Sequence, residues 1–124
     1  MGELILVVDD DARGLTLATD LLRVSGYNVI TASDGSQAVA LAKANNPVLV
    51  LMDIQLPVMD GYEATRTLKA DPLTRHIKIV ALTASAMRGD EDKVFQAGCD
   101  GYISKPIEIH GFLSKVREYL KHGE

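Results

Sequence analysis

The stretch VLVLMD, from Val48 to Asp53, sets five apolar residues in a row and then a carboxylate. It is rich in Val and Leu with no polar alternation, which is how a strand buried on both faces reads. The same pattern recurs at Leu4–Val8 and Ile77–Leu82, with further short runs at Tyr27–Ala32 and Tyr102–Ile103.

Between these runs lie segments of helical spacing. Leu15, Ala18, Leu21, Leu22 and Val24 form one stripe, and Gly26 is placed as the stop after it. Ala38, Val39, Leu41 and Ala42 form a second, ended by Asn45-Asn46-Pro47. A third helix is expected from about Gly61 to Lys69, and a fourth from about Asp90 to Ala97 before Gly98. The last carries Phe112, Leu113, Val116, Tyr119 and Leu120 on one side. Five strands alternating with five helices specify an α/β domain with a parallel sheet and right-handed crossovers. At this size the doubly wound, flavodoxin-like order 2-1-3-4-5 is the leading candidate, taken from known sheets rather than from the spacing.

The rest of the chain bounds the function. At 124 residues it is expected to form one domain spanning 1–124, with no repeat, low-complexity tract or linker inside it. Apolar residues are 47% of it, enough for a sizeable core, and 24% are charged, so a disordered polar chain is excluded. Thirteen basic against 17 acidic side chains argue against nucleic acid or an anionic membrane as a direct partner, since both need a basic face. The longest purely apolar runs are five residues, as from Val48 to Met52, far below the roughly 18 of a spanning helix. Met-Gly-Glu at the start carries no basic secretion signal, and a single cysteine, Cys99, suits a reducing cytosol. The expected location is cytoplasmic.

In open α/β sheets ligands bind outside the carboxyl ends of the strands. Strand 1 ends in Asp9-Asp10-Asp11, strand 3 in Asp53, strand 4 in Thr83, and strand 5 in Ser104-Lys105-Pro106. In the order 2-1-3-4-5 these four ends are neighbours, so carboxylates, a hydroxyl and an ammonium converge on one cleft. Clustered carboxylates repel one another unless a cation sits among them. Oxygen-only donors select a hard ion, and Mg2+ fits. A carboxylate beside Mg2+, with a lysine and a hydroxyl opposite, can accept a phosphoryl group whose charge the cations offset.

At these residues the sequence resembles the receiver domains of two-component response regulators. The pair Asp9-Asp10, LMDIQLPVMDG around Asp53, ALTA around Thr83 and GYISKPI around Lys105 all match that pattern, in order, over essentially the whole chain. From Leu51 to Ile107 the wording is most similar to single-domain regulators of the cell-division type. The resemblance implies that Asp53 is the phosphoacceptor. It implies that Asp10, Asp53 and the backbone carbonyl of Gln55 bind Mg2+ directly, with Asp9 acting mainly through a metal-bound water. Thr83 would hydrogen-bond the phosphoryl group, and Lys105 would pair with it while Pro106 holds the loop. Tyr102 occupies the place of the switch aromatic, and Gln55 and Ser85 occupy positions that tune phosphoryl lifetime. The implied partners are a histidine kinase or phosphotransfer protein and a downstream protein effector, read by the face of helix 4, strand 5 and helix 5. Met1 and the lack of a linker favour a stand-alone regulator over a piece of a longer protein.

Each residue also has a plainer reading. An Asp cluster after a strand is most often a helix N-cap, the reading kept for Asp11. Taken singly, Asp53 is a loop solubiliser, Thr83 closes a strand, Lys105 is a surface charge and Tyr102 is core; the set outweighs these. Cys99 reads as a small semi-buried residue without a redox role, and His76, His110 and His122 have no metal or triad spacing. Met52, Met59 and Met87 read as packing and loop residues, and Glu91, Asp92 and Lys93 as a solvated helical face. Two other functions compete. An aspartyl phosphohydrolase of the haloacid-dehalogenase type wants a second Asp two residues after the nucleophile, where Gln55 stands and cannot relay a proton. A nucleotide-binding module wants a glycine-rich loop after strand 1, where three Asp stand instead.

Overall fold

A computed structural model describes residues 2–83, 90–105 and 107–121. Five strands, β1 (Leu4–Val8), β2 (Asn28–Ala32), β3 (Leu49–Asp53), β4 (Lys78–Thr83) and β5 (Gly101–Ser104), alternate with five helices. These are α1 (Ala12–Val24), α2 (Gly35–Asn45), α3 (Gly61–Ala70), α4 (Asp90–Gln96) and α5 (Ile109–Lys121). All four strand pairings are parallel, and the order is β2-β1-β3-β4-β5, as expected.

Alternate side chains of the central strands feed two separate cores, which is why those strands carry no polar alternation. Leu6, Val8, Val50, Met52, Ile79 and Ala81 pack with Ala38 and Ala42 of α2, Ala64 and Leu68 of α3, and Val94 of α4. Ile5, Val7, Leu49, Leu51, Val80, Leu82 and Ile103 face the other way, onto Ala18 and Leu22 of α1 and Phe112 and Val116 of α5. The sheet is therefore covered by α2, α3 and α4 on one side and by α1 and α5 on the other. Three helices start from an aspartate whose side chain accepts a backbone N–H of the first turn: Asp11 from Arg13, Asp34 from Gln37 and Asp60 from Glu63.

One expectation shifts. Val24, placed in the α1 stripe, is 87% exposed. It follows Leu22 by two positions, roughly 200° round the helix, so it points away from the core that Leu22 fills. Strands β3 and β4 each run one residue beyond the apolar stretch and end in Asp53 and Thr83, as expected. The register Asp53↔Leu82 makes Asp53 a paired strand residue, and Thr83↔Ser104 does the same for Thr83. The backbone at both positions is thereby fixed by the sheet pairing, which sets where the side chains start. No described helix is long and apolar enough to cross a membrane.

Candidate functional site: an acidic cleft at the sheet's carboxyl edge

Because β1, β3, β4 and β5 are adjacent, their carboxyl ends deliver side chains to one place. The Asp9 N–H donates to Ala32 O at 3.1 Å, carrying the β1–β2 pairing past the strand end. The Asp9 carboxylate then turns under the start of α1, where its Oδ1 accepts the Asp11 N–H at 2.9 Å. From β3, Asp53 projects with Oδ1 accepting the Gln55 N–H at 3.1 Å. The Lys105 N–H donates to Thr83 O at 2.8 Å, so the pairing of β4 with β5 continues one step and holds Lys105 beside Thr83.

Lys105 closes the arrangement. Its Nζ lies 3.1 Å from Asp9 Oδ2 and 3.1 Å from Asp53 Oδ2. Asp9 is 1% exposed and Asp53 6%, whereas Asp10 is exposed at the rim. Carboxylate oxygens of Asp9, Asp10 and Asp53 lie within 4.8 Å of one another. Burial pushes the Asp53 carboxyl up to about 6, the neighbouring Asp9 carboxylate adds to the rise, and Lys105 opposes it. Lys105 itself is held above the usual lysine range: burial pulls it down, but its hydrogen bonds to Asp9 and Asp53 and their charges outweigh this. One ammonium against three carboxylates leaves the site short of positive charge.

The cleft measures about 690 Å3 and is lined by the expected residues Asp9, Asp10, Asp53, Gln55, Thr83 and Lys105. Tyr102 stands apart from it. Its half-buried ring meets Phe95 of α4 edge to face, with centroids 6.3 Å apart. Asp11 lines the cleft and also caps α1, as its plainer reading had it. Asp60, Tyr62 and Lys93 line the cleft as well. Lys93, read as part of a solvated face, is exposed yet stands at the cleft wall, because α4 packs beside β5. Ser85, Met87, Pro106 and the tail from His122 lie outside the described residues, as does the side chain of Glu91.

Comparison with known proteins decides the family. The response regulator receiver domain matches residues 5–117. The chain belongs to that family. A curated relative, the polar-differentiation response regulator DivK of Brucella ovis, is 43% identical over 120 residues, covering 97% of this chain and 98% of the relative. Among solved structures, a response regulator from Chloroflexus aurantiacus superposes with a TM-score of 0.92 at 30% identity, over 98% of this chain and 99% of that one. The receiver domain of a sensor histidine kinase from Pseudomonas aeruginosa, whose structure has a magnesium ion coordinated in its active site cleft, gives 0.90 at 37% identity, over 98% and 99%.

Among the described residues, the cysteine and histidines of this receiver domain stand outside the cleft. Cys99 is buried with Sγ 3.7 Å from Thr65 Oγ1, and burial pushes its thiol up to about 11, so it is no nucleophile near neutral pH. His76 Nε2 lies 2.8 Å from Asn46 Oδ1, and His110 is exposed.

Proposed function

We propose that Asp53 accepts a phosphoryl group from a phosphohistidine of a histidine kinase or phosphotransfer protein, in a Mg2+-dependent reaction, and that the acyl phosphate alters partner binding. The observation that supports this most is the buried Asp53 carboxylate sharing the Lys105 ammonium with Asp9.

The residues fit the metal. Three carboxylates whose oxygens approach within 4.8 Å form a hard, oxygen-only donor set with unbalanced negative charge. Asp10, Asp53 and the Gln55 backbone carbonyl would hold Mg2+ directly, and Asp9 would hold it through water. Bound there, Mg2+ would offset the charge of the phosphoryl oxygens.

This chain's own residues supply the remainder. With its carboxyl at about 6, Asp53 is mostly ionised at pH 7 and above, and is a nucleophile in a fixed orientation. Its oxygen forms the new P–O bond as the P–N bond of the donor breaks, the electron pair leaving with the imidazole. Lys105, already at Asp53 Oδ2, follows the charge onto the transferred group. Thr83, held by the β4 pairing, offers its hydroxyl to a phosphoryl oxygen. Gln55, standing where an aspartyl phosphatase would carry an acid, gives no proton relay, so sustained turnover of phosphate esters is not expected. The chain then acts in the cytoplasm as one receiver unit, read by a protein effector at the face of α4, β5 and α5, where Phe95 and Tyr102 meet. Incubation with acetyl phosphate and Mg2+ tests the reading by intact mass. One phosphoryl adduct per chain is expected, and sustained hydrolysis of phosphate esters without an adduct would overturn it.

A further inference from the structure

Gly14 lies in the first turn of α1, directly against Asp9. A Cβ built on Gly14 falls 2.8 Å from Asp9 Oδ2, 3.7 Å from its Cγ and 3.9 Å from Asp11 Oδ2. A carbon–oxygen separation of 2.8 Å is repulsive, so one of the two groups must move. Asp9 has little room to do so. Its N–H is bound to Ala32 O, its Oδ1 to the Asp11 N–H, and it is almost fully buried. The helix is held in its turn by the Asp11 cap and by Ala18 and Leu22 in the core. The displacement therefore falls on Asp9 Oδ2, the atom that binds Lys105.

We infer that Gly14 is a positioning residue for the acidic cleft: the missing side chain lets Asp9 settle against α1, where it holds Lys105 beside Asp53 and leaves room for a cation. Residues that aim a metal ligand without touching the metal commonly change affinity by one to two orders of magnitude when altered. Gly14 acts in this way through Asp9. The inference rests on the reading of Asp9 as part of the Mg2+ site.

The test compares wild type, Gly14→Ala and Thr16→Ala, an exposed neighbour in α1 that keeps its Cβ. Each is titrated with Mg2+ alone by calorimetry, melted in chelator, and crystallised. Gly14→Ala is expected to melt cooperatively, to bind Mg2+ about tenfold more weakly or worse, and to show Asp9 Oδ2 out of hydrogen-bond reach of Lys105. Thr16→Ala is expected to match wild type. An Asp9 left in place with unchanged Mg2+ affinity in Gly14→Ala would overturn the inference. A wild type that takes up no Mg2+ would instead overturn the cation reading, and the Asp9 position in the Gly14→Ala crystal would still decide what Gly14 does.

Discussion

The Tyr119 hydroxyl grips both peptide groups of Tyr102, accepting its N–H at 3.2 Å and donating to its carbonyl at 3.1 Å. Tyr102 sits on β5, the sheet's edge, so these two groups point away from β4 and a side chain of α5 satisfies them. The ring of Tyr119 lies over Gly101, where any Cβ would clash with it. Lys78 Nζ, donating to Tyr119 O at 2.8 Å, fastens the same turn of α5 to β4.

Tyr119→Phe keeps the ring over Gly101 and removes only the hydroxyl. It removes two hydrogen bonds and is expected to cost about 2 kcal/mol, at about 1 kcal/mol for each. Amide exchange at Tyr102 should accelerate as well. Unchanged exchange at that amide would show that the clamp does not protect the edge.

Val58 is a β-branched residue at φ 68°, and the Met59 N–H closes back on Pro57 O at 2.7 Å, making a tight turn. Such a conformation stores roughly 1–3 kcal/mol of strain in a non-glycine residue. The side chain is 85% exposed, so replacing it loses little packing. Val58→Asn, which tolerates positive φ, is expected to raise stability by about 1 kcal/mol in urea unfolding, with acetyl-phosphate labelling intact. A loss of stability would contradict the account of this turn.

Asp53 makes the metal-free fold sensitive to pH. Its carboxyl stands at about 6 when folded, against 3.8 as the ordinary value. A raised carboxyl favours the folded protein when protonated, so this contribution is fully present below about pH 4 and is lost as pH rises through 6. In chelator, wild type should lose stability relative to Asp53→Asn between about pH 4 and pH 6, and the difference should level off above that. Parallel stability curves for the two proteins would contradict the burial of an ionisable Asp53.

Transmission out of the cleft is expected to run through the Thr83 hydroxyl. A phosphoryl group brings nearly two negative charges and strong acceptor oxygens. A phosphoryl mimic can move Tyr102 only if it interacts differently with the two states, and Thr83 is proposed as the coupling group. With beryllofluoride, wild-type spectra should shift as far as Tyr102 and Ile103 to Phe112, while Thr83→Ala should confine the shifts to the cleft. Equal long-range shifts in both proteins would return Tyr102 to a packing role.

Much of this was legible in the chain because both-sided burial writes itself as unbroken apolar runs, and the chemistry sits where each run stops. Asp9, Asp53, Thr83 and Lys105 were readable in that way, and the sheet order alone brings them together. What stayed hidden depends on how helices cross the sheet. Lys93 looked like a solvated charge because only the placement of α4 brings it to the cleft wall. Gly14 carried no signal, since its meaning is a distance to Asp9. Val24 was misplaced because an apolar residue two positions past Leu22 extends the stripe in letters but not in angle.

The most direct test of the central claim is to locate the acyl phosphate chemically. Protein labelled with acetyl phosphate and Mg2+ is reduced with borohydride, which converts an aspartyl phosphate to homoserine, and is then mapped by peptide mass spectrometry. The account predicts homoserine at position 53 alone, and none in Asp53→Asn. Homoserine at position 9 or 10, or undiminished labelling of Asp53→Asn, would contradict it.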